Sequence, residues 1–311
     1  MCVPLSSRAG ACKITSQRPR TPPSRGCGVP GGFPECDTPN GAKLRMPIVP
    51  IDSLDDPRLD AYRDLRTSKA GRRSGSFVAE GMWLVRRLLE SGLTTESLLI
   101  DHRRVEELGA GIPDSVDVYV VPDGWSERVV GFRFHRGVVA CARRPLRHSV
   151  RWLADLDRSG WLIVALADVQ DPENVGSVLR NASAFGARAV ILGPHCGDPL
   201  SRRILRVSMG APFHLDIVES DDLATDLDTL RSRYGARIAA TVLDKEAVPL
   251  DTFSCPGRLI LVLGNEGHGL PEYWKSRADH LLTIPMTPPT DSLNVAVASG
   301  VFMYALSRAR T

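Results

Sequence analysis

The sequence predicts a two-part α/β protein: a C-terminal parallel sheet with helices on both faces, preceded by a small α/β domain. Three observations carry that prediction. Beyond residue 160, near-continuous apolar runs alternate with helical patterns, as in parallel strands buried on both sides. Between 50 and 147 the β-rich runs are shorter and bounded by Gly, Pro and Asp. The 311 residues, 43% of them apolar and 24% charged, suffice for two cores, and no apolar run approaches the roughly 18 residues of a membrane span.

Residues 1–45 mix Pro, Gly, Ser, Arg and Thr without periodicity, and such a stretch buries too little apolar surface to offset the entropy of ordering. Disorder is expected there, or an extension ahead of a true start at Met46. An Arg-rich, acid-poor start also fits a transit peptide, against which count its frequent prolines.

In the first domain, residues 46–147, "DPRLDAYRDLR" reads as a helix, "GSFVAEG" as a strand and "GMWLVRRLLESG" as an amphipathic helix stopped by Gly92. "ESLLID", "VDVYVV" and "RGVVACA" read as strands, and 148–160 as a linker. In residues 161–311 strands are expected at "WLIVALAD", "RAVILG", "FHLDIV", "RIAATVLD", "RLILVLG" and "HLLTIP". Helices are expected at "NVGSVLRNASAFG", "SRRILRVSMG", "DLATDLDTLRSRYG", "PEYWKSRA" and "SLNVAVASGVFMYALSRAR".

The formal charge of +3 is concentrated at the start: residues 1–45 carry seven Lys/Arg against Glu35 and Asp37, so the remainder is at −2. Net charge therefore does not point to a polyanionic partner, and only local clusters do. Cys2, Cys12, Cys27 and Cys36 lie in the opening stretch, while Cys141, Cys196 and Cys255 are scattered. An odd total with no CxxC pair argues against a disulfide framework and a zinc site, and makes a reducing cytoplasm the simplest location.

Ligands of parallel sheets bind at the carboxyl ends of strands, so the loops after Asp168, Leu263 and Ile284 are the places to search. In "ADVQDPENVGSVLRNASAFGA" (167–187), Asn174 is expected to cap a helix carrying Gly176, Arg180 and Ser183 on roughly one face. In "LILVLGNEGHGL" (259–270) the strand delivers Gly264, Gly267 and Gly269 around Asn265 and Glu266, and such glycines let a ligand approach bare backbone. A dinucleotide-binding GxGxxG fails on spacing, because the third glycine would fall at Glu272. In "IPMTPPTDSLNVAVASG" (284–300), Pro285, Pro288 and Pro289 stiffen a turn. Ser292 is expected to cap a helix begun by Leu293 and Asn294, whose Leu293, Val297, Val301 and Ala305 form a core or subunit face.

In this order, "DPENVGSVLRNASAFG", "LGNEGHGL" and "IPM…DSLNVAVASG" resemble the three signature motifs of the SpoU-type (TrmH-like) branch of the SPOUT RNA methyltransferases. The resemblance covers 161–311. "GSFVAEGMWLVRRLLESGLTTESLLI" with "FRFHRGVVACA" resembles the smaller L30e-like domain that many members carry in front, an RNA substrate-binding domain.

The resemblance implies an enzyme that transfers a methyl group from S-adenosyl-L-methionine to a ribose 2′-hydroxyl of RNA. It also implies a deep trefoil knot, an exception to the rule against threading, and a homodimer formed through the knotted domain. Asn174, Arg180, Glu266, Ser292 and Asn294 are the implied catalytic positions. Leu263, Gly264, Gly267, Ile284, Met286 and Leu293 are the implied cofactor positions. Arg180 is assigned to clamping phosphate and stabilising the developing alkoxide, since a guanidinium scarcely deprotonates. Glu266 is a hydrogen-bond acceptor or a base.

Pro288 stands where the family often has Gly, and Ala296 where it often has Ser. Phosphate contacts are expected from Arg63, Arg66, Lys69, Arg72 and Arg73 and from Arg202, Arg203 and Arg206. Ribosomal RNA is favoured as substrate, with tRNA or an inactive RNA-binding paralogue as alternatives. No metal or membrane is expected.

Overall fold

The computed structural model describes residues 48–63, 75–109, 111–131, 137–155 and 160–308. The expected apolar runs form strands β2 (Ser76–Glu80), β3 (Thr95–Asp101), β4 (Asp117–Val121) and β5 (Val138–Arg143). They are followed by β6 (Trp161–Leu166), β7 (Ala189–Leu192), β8 (Ile217–Glu219), β9 (Arg237–Thr241), β11 (Arg258–Leu263) and β12 (His280–Thr283). Two short edge strands, β1 (Ile48–Pro50) and β10 (Val248–Pro249), carry too little pattern to be read from sequence. The helices are α1 (Met82–Glu90), α2 (Val105–Leu108), α3 (Trp125–Val130), α4 (Pro172–Ala184), α5 (Arg202–Val207), α6 (Leu223–Tyr234), α7 (Glu272–Arg277) and α8 (Val295–Arg308). None of the described helices is long and apolar enough to cross a membrane.

Two elements differ from expectation. "DPRLDAYRDLR" begins as a 3-10 turn, Pro57–Tyr62, because Asp56 caps it and Leu59 and Tyr62, three apart, both point into the core. "FHLDIV" becomes a strand only from Ile217, since Ala211–Phe213 coils into a 3-10 turn that packs Phe213 on Phe77.

The first sheet is mixed, in the order β1-β4-β3-β5-β2, with β5 antiparallel to both of its neighbours. The second has seven strands, all parallel, in the order β10-β12-β9-β11-β6-β7-β8. Every residue of β6 is buried because alternate side chains enter different cores. Leu162, Val164 and Leu166 pack with Val178 and Leu179 of α4 and with Phe302, Met303 and Leu306 of α8. Ile163 and Ala165 pack with Leu223, Leu227 and Leu230 of α6. The expected parallel sheet covered on both faces is thus present.

Gly176 sets how closely α4 meets α5: a methyl there would stand 2.9 Å from Val207 Cβ. The two sheets also share a core, in which Phe77, Leu84 and Leu98 meet Leu200, Leu205 and Phe213. Above it Arg144 binds Asp198 through two hydrogen bonds of 3.0 and 2.6 Å, so the start of the inter-sheet connection is fixed.

On the opposite flank Asp279 ties the start of β9 to α6. It accepts from Ile238 N at 2.8 Å, Arg231 at 2.9 Å and Arg237 at 3.2 Å. Burial pushes its carboxyl pKa up, but these three donors outweigh burial and hold it below the usual range. A depressed carboxyl stabilises the fold above its unfolded pKa and loses that contribution as pH falls through its folded one. Asp279→Asn is therefore expected to cost about 2 kcal/mol at neutral pH. The gap to wild type should shrink below about pH 4 in chemical denaturation. A gap independent of pH would show that the charge is immaterial.

Candidate active site

Three strand ends meet at the carboxyl edge of the parallel sheet. After β6 the chain turns at Asp168, whose φ of 66° lies in the left-handed region that costs a non-glycine residue about 1 kcal/mol. Asn265 Nδ2 donates to the Asp168 carbonyl at 2.9 Å, and Gln170 Nε2 donates to the Asp168 carboxylate at 2.8 Å.

Asp171 then caps α4 by accepting from Glu173 N, with Pro172 at the first helical position. Asn174 is therefore not the cap. It sits inside the first turn with its side chain buried and turned toward the other two loops.

After β11 the chain reverses through Asn265–Gly269, closed by two backbone hydrogen bonds of 3.2 and 3.0 Å. Gly264 is required there: a Cβ would stand 2.5 Å from the Gly269 carbonyl carbon and 2.6 Å from Leu270 N. Asn265 Oδ1 accepts from Gly267 N and His268 N, so the loop is organised by its own polar groups.

After β12, α8 begins at Val295, and Asn294 is its cap, accepting from Ala296 N at 2.8 Å and Val297 N at 3.4 Å. Ser292, expected as that cap, lies two residues upstream, exposed and bonded to Asp291. The helix starts where Asn294 can serve two purposes. Its Oδ1 caps α8, and its Nδ2 donates to Asn174 Oδ1 at 2.9 Å.

Asn174 joins the three loops. Its Nδ2 donates to Glu266 Oε1 at 3.0 Å, and the same oxygen accepts from Asp171 N at 3.1 Å. Glu266 Oε2 has no partner among the described residues.

Beside this network lies a cleft of about 780 Å³, within the usual range for small-molecule sites. All six expected cofactor positions line it: Leu263, Gly264, Gly267, Ile284, Met286 and Leu293. Glu266, Ser292 and Asn294 line it too. Sequence reading missed Thr241 at the end of β9, Asp244, Lys245 and Glu246 beyond it, and Lys275 of α7. The strand-end rule applied to β9, which pairs with both β11 and β12, would have found that loop.

Other expected residues are placed differently. Arg180 is exposed, its side chain has no hydrogen-bond or ion-pair partner among the described residues, and it does not line the cleft. Six residues beyond Asn174, it lies about 9 Å further along α4 and about 240° around it. Gly176, expected on its face, is buried against α5.

Among the described residues, three of the expected phosphate-binding arginines are already held by partners. Arg63 is held by Asp60 and the Leu54 carbonyl, Arg202 faces Glu80 at 3.6 Å, and Arg203 pairs with Glu173. Arg66, Lys69, Arg72 and Arg73 lie outside the described residues. Among the described residues no group of three or more His, Cys, Asp or Glu could hold a metal ion.

The three loops that carry the SpoU-like motifs thus interlock beside one cleft at the carboxyl edge of the parallel sheet. The SpoU rRNA Methylase family profile matches residues 161–304. A Mycobacterium tuberculosis protein named as an uncharacterized tRNA/rRNA methyltransferase is 36% identical over 278 residues, 85% of this chain and 93% of its own length. A 23S rRNA (guanosine-2'-O-)-methyltransferase of Acinetobacter baylyi is 32% identical over 68% of this chain and 86% of its own. The crystal structure of an AdoMet-bound rRNA methyltransferase from Sinorhizobium meliloti superposes with a TM-score of 0.73 at 28% identity, covering 84% of this chain and 98% of that one. The chain belongs to the SpoU rRNA methylase family.

Removing the central amide tests the interlock. Asn174→Ala should cost about 1–3 kcal/mol and speed amide hydrogen exchange in 265–269 and 292–295 while leaving the β6 core protected. Unchanged exchange in both loops would show that Asn174 does not hold them.

Proposed function

We propose that this chain methylates a ribose 2′-hydroxyl of RNA, taking the methyl group from S-adenosyl-L-methionine, with ribosomal RNA as the favoured substrate. The observation that carries this reading is the hydrogen-bonded set Asn294–Asn174–Glu266 at the edge of a glycine-walled cleft lined by both apolar and polar side chains.

The cleft suits the cofactor's chemistry. Leu263, Ile284, Met286 and Leu293 offer apolar walls to an adenosine, and bare backbone at Gly264 allows close approach. The bound cofactor supplies a methyl group on a sulfonium, whose departure leaves a neutral thioether. The protein's task is to align the 2′-oxygen with that carbon and accept the hydroxyl proton. Glu266 Oε2 is the acceptor at hand, since Oε1 is already committed to two donors.

Arg180 is assigned to an RNA phosphate beside the reacting ribose. Within one chain it is exposed and outside the cleft, so this role requires a second copy. Val297, Val301 and Tyr304 on α8 are 55%, 39% and 58% exposed, an apolar stripe at helical spacing. Asn181, next to Arg180, bonds the Ala296 carbonyl and Ser299 of α8. Symmetric pairing through that stripe would carry Arg180 toward the cleft of the partner subunit.

A deep trefoil knot belongs to the same reading. β12 pairs with both β9 and β10, so the chain leaving β11 returns into the slot those earlier strands bound. Residues 46–147 are read as the L30e-like RNA-binding domain, supported by their separate mixed sheet.

Incubation with methyl-labelled S-adenosylmethionine and ribosomal RNA or tRNA should give label at one alkali-resistant linkage in ribosomal RNA; label on a base would overturn the ribose assignment. Arg180→Ala and Asn294→Ala should each be inactive as homodimers. Mixed and re-paired, they should recover about a quarter of wild-type activity, because half the dimers are hybrid and each hybrid keeps one intact site. No recovery would place Arg180 in its own subunit's site or outside the chemistry.

A further inference from the structure

Trp83, on the first turn of α1, is 46% exposed. Its indole is not loose. The Arg87 guanidinium lies 4.3 Å from the ring centroid, and Arg87 Nη1 donates to the Met209 carbonyl at 2.6 Å. One ring face is therefore backed by a cation that is itself anchored to the other half of the molecule, while the indole remains open to solvent.

The surroundings are basic and lead to the active site. Met209 follows α5, which carries Arg202, Arg203 and Arg206. Glu80 faces Arg202 and Glu173 pairs with Arg203, whereas Arg206 and Arg87 have no carboxylate partner among the described residues. Glu173 adjoins Asn174, the residue that bonds Glu266. A chain of contacts thus runs from the cleft edge through Glu173, Arg203 and α5 to Met209, Arg87 and Trp83.

We infer that Trp83 is a base-stacking platform for an unpaired nucleotide of the RNA substrate, at the seam between the two sheets, with Arg206 contacting an adjacent phosphate. The inference rests on the RNA-methyltransferase reading above. An indole fixed in advance loses little freedom when a base stacks on it, and a positive charge on the same surface favours the flanking phosphate. The platform serves binding and takes no part in methyl transfer, so it should act on KM for RNA and leave kcat unchanged.

The test uses the full chain with ribosomal RNA and with a single-stranded oligoribonucleotide. Trp83→Ala should raise Kd and KM for RNA roughly tenfold, at unchanged kcat and unchanged heat of S-adenosylmethionine binding. Trp83→Phe, which keeps a ring, should recover most of the loss. The Trp83→Ala defect should persist at high salt, while that of Arg206→Gln should fade as ionic strength rises. If the wild type methylates RNA and Trp83→Ala matches it in Kd and KM, the platform is wrong and the enzymatic reading stands. If the wild type neither binds nor methylates RNA, both fall.

Discussion

A single carboxylate oxygen, Glu266 Oε1, receives one donor from the loop after β6 and one from the first turn of α4. The rest of the site depends on that convergence. Parallel pairing makes it possible, because β6, β11 and β12 all end on one edge and release their loops on the same side of the sheet. Asn174 then extends the link to α8 by accepting from Asn294. Three segments far apart in sequence are held by side chains that satisfy one another, and the cleft wall is shaped before any ligand arrives.

The same economy couples the two sheets. A bidentate, mostly buried Arg144–Asp198 pair, the Arg87 bond to the Met209 carbonyl and the shared core around Phe213 all fasten the first sheet to α5 and its flanks. Helix α5 in turn packs on α4 through Gly176. The RNA-binding surface proposed on the first sheet is therefore connected to Asn174 through packed helices rather than through a flexible tether. Geometry at one end constrains geometry at the other.

Most of the strands were legible in the sequence, β1 and β10 excepted, because their apolar runs end at glycine, proline or aspartate, and the three polar loops followed from where those runs stop. The helix starts were not. "DPEN" offers two capping residues and "SLN" offers two more, and capping preference alone does not separate Asn from Asp or Ser. Pro172 at the first helical position decides for Asp171, and the distant partner Asn174 decides for Asn294. Arg202 and Arg203 read as a free basic cluster because nothing local reveals that Glu80 and Glu173 face them. The Lys245 loop was missed for a comparable reason, since only the strand order places β9 beside β11 and β12.

Saturation of the network bears on how such a site works. With Oε1 holding two donors and the Asn174 amide engaged at both ends, these groups are committed to orientation. What remains uncommitted among these groups is one carboxylate oxygen, Glu266 Oε2. That division suits methyl transfer from a sulfonium, in which charge is lost as the bond forms and alignment carries much of the rate. Arg180, exposed and outside its own cleft, fits the same logic under the proposed symmetric pairing: a guanidinium left in solvent is spared the cost of desolvating an unpaired charge in the separate chain.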